Sequence, residues 1–379
     1  MFLDSTGTTK PTELAINSFV NINQDNWRNP SATMSEAGIE ARRVIERSRN
    51  IVMYEIGAEK PDQIIFTSGS TEGANMIIKG FIPRGQEKNY GIICSAIEHP
   101  AVWETCQYMS RCGVDVKTLW VDDHGHVNIE ELYYYLDKMK YDGILVCVMD
   151  SNNETGVVQN TNKIADIVHE YPGAYLFSDM TQSFAHADVF KVGDLKYDFA
   201  IGSAQKFGGL KGVGFVYARD PQVLTPLIHG GGQENGYRSG TENVGGIYSM
   251  ALQFDQICSA RDHGDFDYLR KLRNTLIDML EENFPDCKIL SEADGLPSIV
   301  NVLFPGRDAN SIVSLLELND IQVSAGSACH TGVNEPSRVL TSIGLSADDA
   351  RSVIRISLDT NISAFELKTF ISALREVMF

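Results

Sequence analysis

None of the chain's seven cysteines forms a CxxC pair. Cys94, Cys106, Cys112, Cys147, Cys258, Cys287 and Cys329 are scattered at irregular spacing. That argues against a structural zinc site. An odd count in a chain of this size does not read as a disulfide framework either, so a reducing compartment is expected. No apolar run is long enough to span a bilayer, which excludes a membrane helix. The start, MFLDSTGTTKP, lacks the basic residues and apolar stretch of a secretory signal. The expected location is therefore cytoplasmic, with no membrane partner. Long Lys/Arg runs are missing too, and the formal net charge is −18. Such a surface repels phosphate backbones, so direct nucleic-acid binding is not expected. The acidity serves solubility or the docking of a basic partner. Internal repeats and low-complexity segments are absent, which excludes solenoids and linkers.

What is present is ordinary globular material: 43% hydrophobic and 22% charged residues over 379 positions. One core rarely serves so long a chain, so a large and a smaller domain are expected. Residues 35–56 carry Ala37, Ala41, Val44, Ile45, Ser48, Ile51, Val52 and Ile56 at helical spacing, with Ser35 placed as N-cap. QIIFTSGSTEGANMIIKG reads as strand, Gly/Ser turn and helix, and YGIICSAIEHPAVWETC repeats the plan. VDVKTLWV, GILVCVM and AYLFSDMTQS read as strands, with NIEELYYYLDKM and NKIADIVHEY as helices between them. FAIGSAQKFGGLKGVGFVYA looks like two strands joined by a Gly-rich connection. Alternation of this kind predicts an α/β layer with a mostly parallel sheet. Further on, a charged helix, FDYLRKLRNTLIDMLEENF, opens an α+β region. The expected division is a large domain at 15–255 and a smaller one from 1–14 and 256–379, the N-terminal arm packing on the latter.

Ligands of open α/β sheets gather beyond the carboxyl ends of strands, and the informative polar residues sit at such ends. In FTSGSTEG, small residues and a helix N-terminus make Ser70 and Thr71 candidate phosphate contacts. The GK[ST] ending of a Walker loop is missing, and taken alone the stretch fits a plain capped turn equally well. Asp179 ends an apolar strand, where a carboxylate needs a cation or donors; by itself it reads as a cap or an ion-pair partner. Lys206 stands among small residues, either as a surface lysine or as a Schiff-base amine with a lowered pKa. Together the three meet the demands of pyridoxal phosphate: a phosphate cradle, an acid for the ring nitrogen and an amine for the aldehyde.

With those residues in place, a resemblance extends over nearly the whole chain. LDSTGTT, NPSA, IIFTSGSTEGAN, EHPAV, NNETGVVQ, SDMTQS, SAQKFGGLKGVG, HGGGQENGYRSGTENV, VSAGSACHTG, EPSRVL and IRISL follow one another in order. The chain thereby resembles the cysteine desulfurases of the NifS/IscS type, in the class-V aminotransferase branch of the fold-type I pyridoxal-phosphate enzymes. The resemblance implies a mostly parallel seven-stranded sheet flanked by helices, plus a smaller α+β domain carrying a catalytic-cysteine loop. It implies Lys206 as the Schiff-base lysine, Asp179 on the pyridine nitrogen and Gln182 on the phenolic oxygen. His99 would stack on the ring and move protons. Asn153 and Arg355 would clamp the substrate carboxylate, and Ser70, Thr71, Ser203 and Gln205 would hold the phosphate. Thr241, with Arg238 in the same loop, would reach the phosphate from the second subunit of a homodimer.

The small residues around Cys329, in VSAGSACHTG, suit a thiol that must be reached and must move. The resemblance implies that Cys329 takes sulfur from L-cysteine as a persulfide, leaves L-alanine, and passes the sulfur to an acceptor or scaffold protein. Related enzymes serve iron–sulfur cluster assembly, tRNA thiolation or DNA phosphorothioation, and selenocysteine is a second substrate to consider. Four positions depart from the family. Gln205 replaces the usual histidine before the lysine, His330 replaces Ser or Thr after the cysteine, and Thr33 and Met34 follow NPSA. Two other readings stay open at this point: a transaminase or β-lyase without persulfide chemistry, and a sulfur-donor subunit active only with its partner.

Overall fold

The computed structural model describes residues 1–187, 196–326 and 336–378. Seven strands form the main sheet: β1 (Ile64–Thr67), β2 (Tyr90–Ser95), β3 (Asp115–Leu119), β4 (Gly143–Cys147), β5 (Ala174–Asp179), β6 (Phe199–Ser203) and β7 (Gly214–Ala218). Their order is β1-β7-β6-β5-β4-β2-β3. Only β7 runs against its neighbours, so the other six end at one edge. The two strands read around the Gly-rich connection are β6 and β7, paired antiparallel.

Parallel strands covered on both faces read as unbroken apolar runs, and β4, GILVC, is buried along its whole length. Side chains still alternate between the two faces. Ile93, Val146 and Leu176 join one core with Val44, Val52, Met250 and Phe254 from helices Glu36–Ile56 and Val244–Asp262. Their neighbours Ile92, Leu145 and Phe177 join the other core, with Met76, Ile77, Val102 and Cys106 from helices Ser70–Gly80 and Pro100–Arg111. Ser35 caps its helix as expected, accepting from Gly38 N at 3.1 Å. Ala37 is exposed in the first turn of that helix, and Ile51 is half-buried at the margin of its packed stripe.

A second sheet has the order β10-β11-β9-β8, all antiparallel, from β8 (Lys288–Ile289), β9 (Ile299–Leu303), β10 (Ser324–Ala325) and β11 (Val353–Ser357). Helices Asp265–Asn283 and Ala364–Met378 cover it through Leu272, Leu276 and Phe370. The N-terminal arm lies here too. Phe2 and Asp4 bridge to Gln322 and Ser357, and Leu3 is buried in the same core. Among the described residues, no helix is long and apolar enough to cross a membrane.

Candidate active site

Strands β1, β2, β4, β5 and β6 deliver their polar ends to one place. A cavity of about 250 Å³ there is lined by Ser70, Thr71, His99, Asn153, Asp179, Gln182, Ser203, Gln205, Lys206 and Arg355. These residues come from six separate stretches of sequence, and the parallel sheet brings all but Arg355 together.

The turn after β1 places Gly69 at φ +150°, where a Cβ would stand 3.4 Å from Ser203 Oγ. Glycine is the residue that accepts this backbone and lets it lie close to a bound group. Helix Ser70–Gly80 starts there with its first N–H groups unspent. Ser70 Oγ and Thr181 Oγ1 lie 2.7 Å apart, tying this turn to the end of β5. Asp179 is buried, and its Oδ1 accepts from Thr181 N at 2.9 Å, which orients the carboxylate. Lys206 follows β6 and donates from Nζ to Thr6 O and Gly7 O, both at 2.7 Å.

His99 caps helix Pro100–Arg111, its Nδ1 accepting from Ala101 N at 3.1 Å. An accepting nitrogen carries no proton, so the neutral ring keeps its hydrogen on Nε2. Burial pushes the imidazole below its ordinary pKa; Lys206 and Arg338 act the same way, against the pull of Asp179. Beside it Glu98 is fully buried, with Oε1 accepting from Ser95 Oγ at 2.6 Å and Met149 N at 2.7 Å. Burial raises this carboxyl to about 7, the two hydrogen bonds opposing and Asp179 assisting.

Arg355 reaches the cavity from β11 in the second sheet and donates to Asn153 O at 2.8 Å. Thr241 lies elsewhere, in a neighbouring cavity of about 190 Å³ that shares Ser68 with the first. Arg238, from the same loop, pairs with Glu72 at 2.8 Å. Burial works against the Glu72 charge, but Arg238 and Ser68 hold its carboxyl below the ordinary range. Cys329 and His330 lie outside the described residues.

The donor set fits pyridoxal phosphate. Gln182 gives Nε2 to Thr6 O at 3.2 Å, while its Oε1 is buried without a donor. A buried polar atom of this kind calls for a partner that a bound hydroxyl or N–H supplies. Hydroxyls and helix N–H groups at one end suit a phosphate. A buried carboxylate and an amine at the other suit a ring nitrogen and an aldehyde. Reading the sequence missed Thr6, Gly7, Ser151, Thr181 and Met149, which also line the cavity. A run of small polar residues with neither helix nor strand period, STGTT, was the available signal for the first two.

Residues 1–370 match the aminotransferase class-V family. A relative from Dictyoglomus turgidum, described as cysteine desulfurase IscS, is 35% identical over all of this chain and 96% of its own length. A solved structure titled NifS-like protein superposes with a TM-score of 0.91 at 31% identity, covering 100% of this chain and 99% of that one. A second, titled SspA in complex with cysteine, gives 0.79 at 29% identity, covering 94% and 98%. The chain thus belongs to the class-V aminotransferases, pyridoxal-phosphate-dependent enzymes, and among them to the cysteine desulfurases of the NifS/IscS type.

Proposed function

We propose that the protein removes the sulfur of L-cysteine onto Cys329, releases L-alanine and hands the sulfur to an acceptor protein. The observation that carries this reading is the meeting of Lys206, Asp179, His99 and Arg355 around one cavity. Bound pyridoxal phosphate supplies the electron sink that loosens the substrate's Cα–H and C–S bonds. The residues of this chain do the rest. Lys206 would hold the aldehyde carbon, Asp179 the ring nitrogen and Gln182 the phenolic oxygen. Ser70, Thr71, Ser203 and Gln205 would hold the phosphate. Arg355 and Asn153 fix the substrate by its carboxylate, for which a planar guanidinium is well shaped. His99, neutral with its hydrogen on Nε2, would stack on the ring and donate or return a proton through that nitrogen. The Cys329 thiolate then forms an S–S bond as the substrate's C–S bond breaks, the electron pair staying with the carbon fragment. Protonation releases that fragment as L-alanine.

Thr241 belongs to this reading only in a homodimer, where it reaches the partner's phosphate. Exposed Leu14, Ile16, Val20 and Trp27 on and beside helix Glu13–Asp25 support association with a second copy. Residues 15–255 would form the cofactor-binding domain, and 1–14 with 256–379 the smaller one.

The test is Cys329→Ala in the cofactor-loaded enzyme. Alanine and sulfide formation should fall by about two orders of magnitude or more, while the cofactor's visible absorbance stays. Undiminished sulfide release would instead make the protein a β-lyase. Turnover appearing only when an acceptor is added would mark a partner-dependent donor.

A further inference from the structure

Arg355 is buried on β11, and three separate parts of the chain take its donors. Nη1 donates to Asn153 O at 2.8 Å. Nη2 donates to Asp4 Oδ1 at 2.6 Å and to Ser324 Oγ at 3.2 Å, while Nε is buried without an acceptor. Asp4 opens a tight turn of the N-terminal arm. Its carbonyl accepts from Gly7 N at 3.0 Å and Thr8 N at 3.5 Å. A Cβ on residue 7 would stand 2.6 Å from Asp4 Oδ2, so the carboxylate lies where only glycine leaves room. The same turn presents Thr6 O and Gly7 O to Lys206 Nζ, each at 2.7 Å, and Thr6 O also accepts from Gln182 Nε2. One short turn thus touches the arginine at one end and the lysine and glutamine at the other.

We propose that Asp4 is a positioning residue for the substrate: it fixes the plane of the Arg355 guanidinium so that the incoming carboxylate meets a donor already aimed at it. The inference rests on Arg355 being the carboxylate anchor. A guanidinium donates in its own plane, and three acceptors on separate segments define that plane. Asp4 is also the counter-charge that a buried cation needs. Without it the arginine side chain regains rotamers, and substrate binding has to meet the cost of ordering them.

The experiment compares holoenzyme variants by two readouts. One is KM and kcat for L-cysteine. The other is equilibrium binding of L-alanine and of L-alaninamide, followed by the change in cofactor absorbance. In Asp4→Ala, KM for L-cysteine and Kd for L-alanine should rise about tenfold, kcat should stay within about twofold, and Kd for the amide should not move. Asp4→Asn keeps an acceptor but loses the charge, and should raise the L-alanine Kd about threefold. If Asp4→Ala does not fold, the Asn variant decides. An unchanged L-alanine Kd, or equal weakening for alanine and its amide, overturns the proposal. Arg355→Ala separates the two levels of the argument. If that variant keeps the preference for alanine over alaninamide, Arg355 is not the anchor. If the preference disappears there while the Asp4 variants change nothing, only the role of Asp4 is lost.

Discussion

Arg49 and Glu234 form a two-point ion pair away from water, Nη1 to Oε2 at 2.8 Å and Nη2 to Oε1 at 3.0 Å. The pair does more than cancel charge. Arg49 Nη1 also donates to Ile64 O, and Glu234 Oε2 accepts from Phe66 N. Ile64 and Phe66 belong to β1, an edge strand whose outward backbone groups would otherwise lie open. Burial works against the Arg49 charge, yet Glu234 and Glu46 outweigh it and lift the pKa above its ordinary value. Glu234 sits at φ 51°, an uncommon conformation for a side-chain-bearing residue, and leads into the loop of Arg238 and Thr241. The pair therefore seals the sheet edge beside the Gly69 turn and anchors the loop that carries Arg238 and Thr241.

Glu234→Ala should cost about 3–5 kcal/mol of stability, because it leaves a buried guanidinium uncompensated. Glu234→Gln keeps an acceptor and should cost less. Urea unfolding of the two variants measures both. A loss under about 1 kcal/mol in the alanine variant would mean that the edge is held by something else.

Asp179→Asn keeps the shape of the side chain and its contact with Thr181 N but removes the charge proposed to meet the ring nitrogen. Alanine formation should drop by about two orders of magnitude, with the phosphate end of the cofactor still bound. Steady-state alanine assays beside a cofactor-retention measurement decide this. Activity within about threefold of the parent would show that the ring nitrogen needs no partner here.

The two routes of reading the sequence differ in what they reach. Local pattern suffices for the strands, because GILVC and the QIIFT stretch are apolar runs of strand length closed by turns. It also suffices for the Ser35 cap and for the polar residues at the ends of β1, β5 and β6. It does not reach the convergence of Arg355 with Asn153, which are 202 positions apart and carry no shared period. Arg355 reads locally as one charge in an apolar strand, and only the ordered family motifs single it out. The N-terminal turn is harder still. Thr6 and Gly7 act through carbonyl oxygens, which every residue has, so no side-chain pattern announces them.

Gln205 lines the cavity where the family usually carries histidine. A neutral amide can still donate to a phosphate oxygen, but it adds no positive charge there. Gln205→His should therefore tighten the hold on the cofactor by a few tenths to about 1 kcal/mol, in the range of a partly exposed charge interaction. Equilibrium dialysis of pyridoxal phosphate gives the dissociation constant directly. An unchanged constant would show that residue 205 does not contribute to phosphate affinity.

Glu98 and His186 make opposite contributions to acid stability. Burial raises the Glu98 carboxyl from 4.5 to about 7, so the folded state holds a proton that the unfolded chain has released. Stability from this group is full below pH 4.5 and is lost as pH rises through 7. His186 is buried with Nε2 unpartnered, and burial, helped by Lys206, Arg261 and Arg355, lowers it from 6.5 to about 3. Here the unfolded chain takes up the proton first, so stability declines as pH falls from 6.5 toward 3. Between pH 8 and pH 5 each effect is on the order of 2 kcal/mol, and the two largely offset one another. Glu98→Gln should therefore cost more at pH 5 than at pH 8, because the parent alone gains from protonation on acidification. His186→Gln should do the reverse and improve relative to the parent as pH falls. Denaturant midpoints across that range give both slopes, and a substitution cost independent of pH at either residue would show that its proton is not linked to folding.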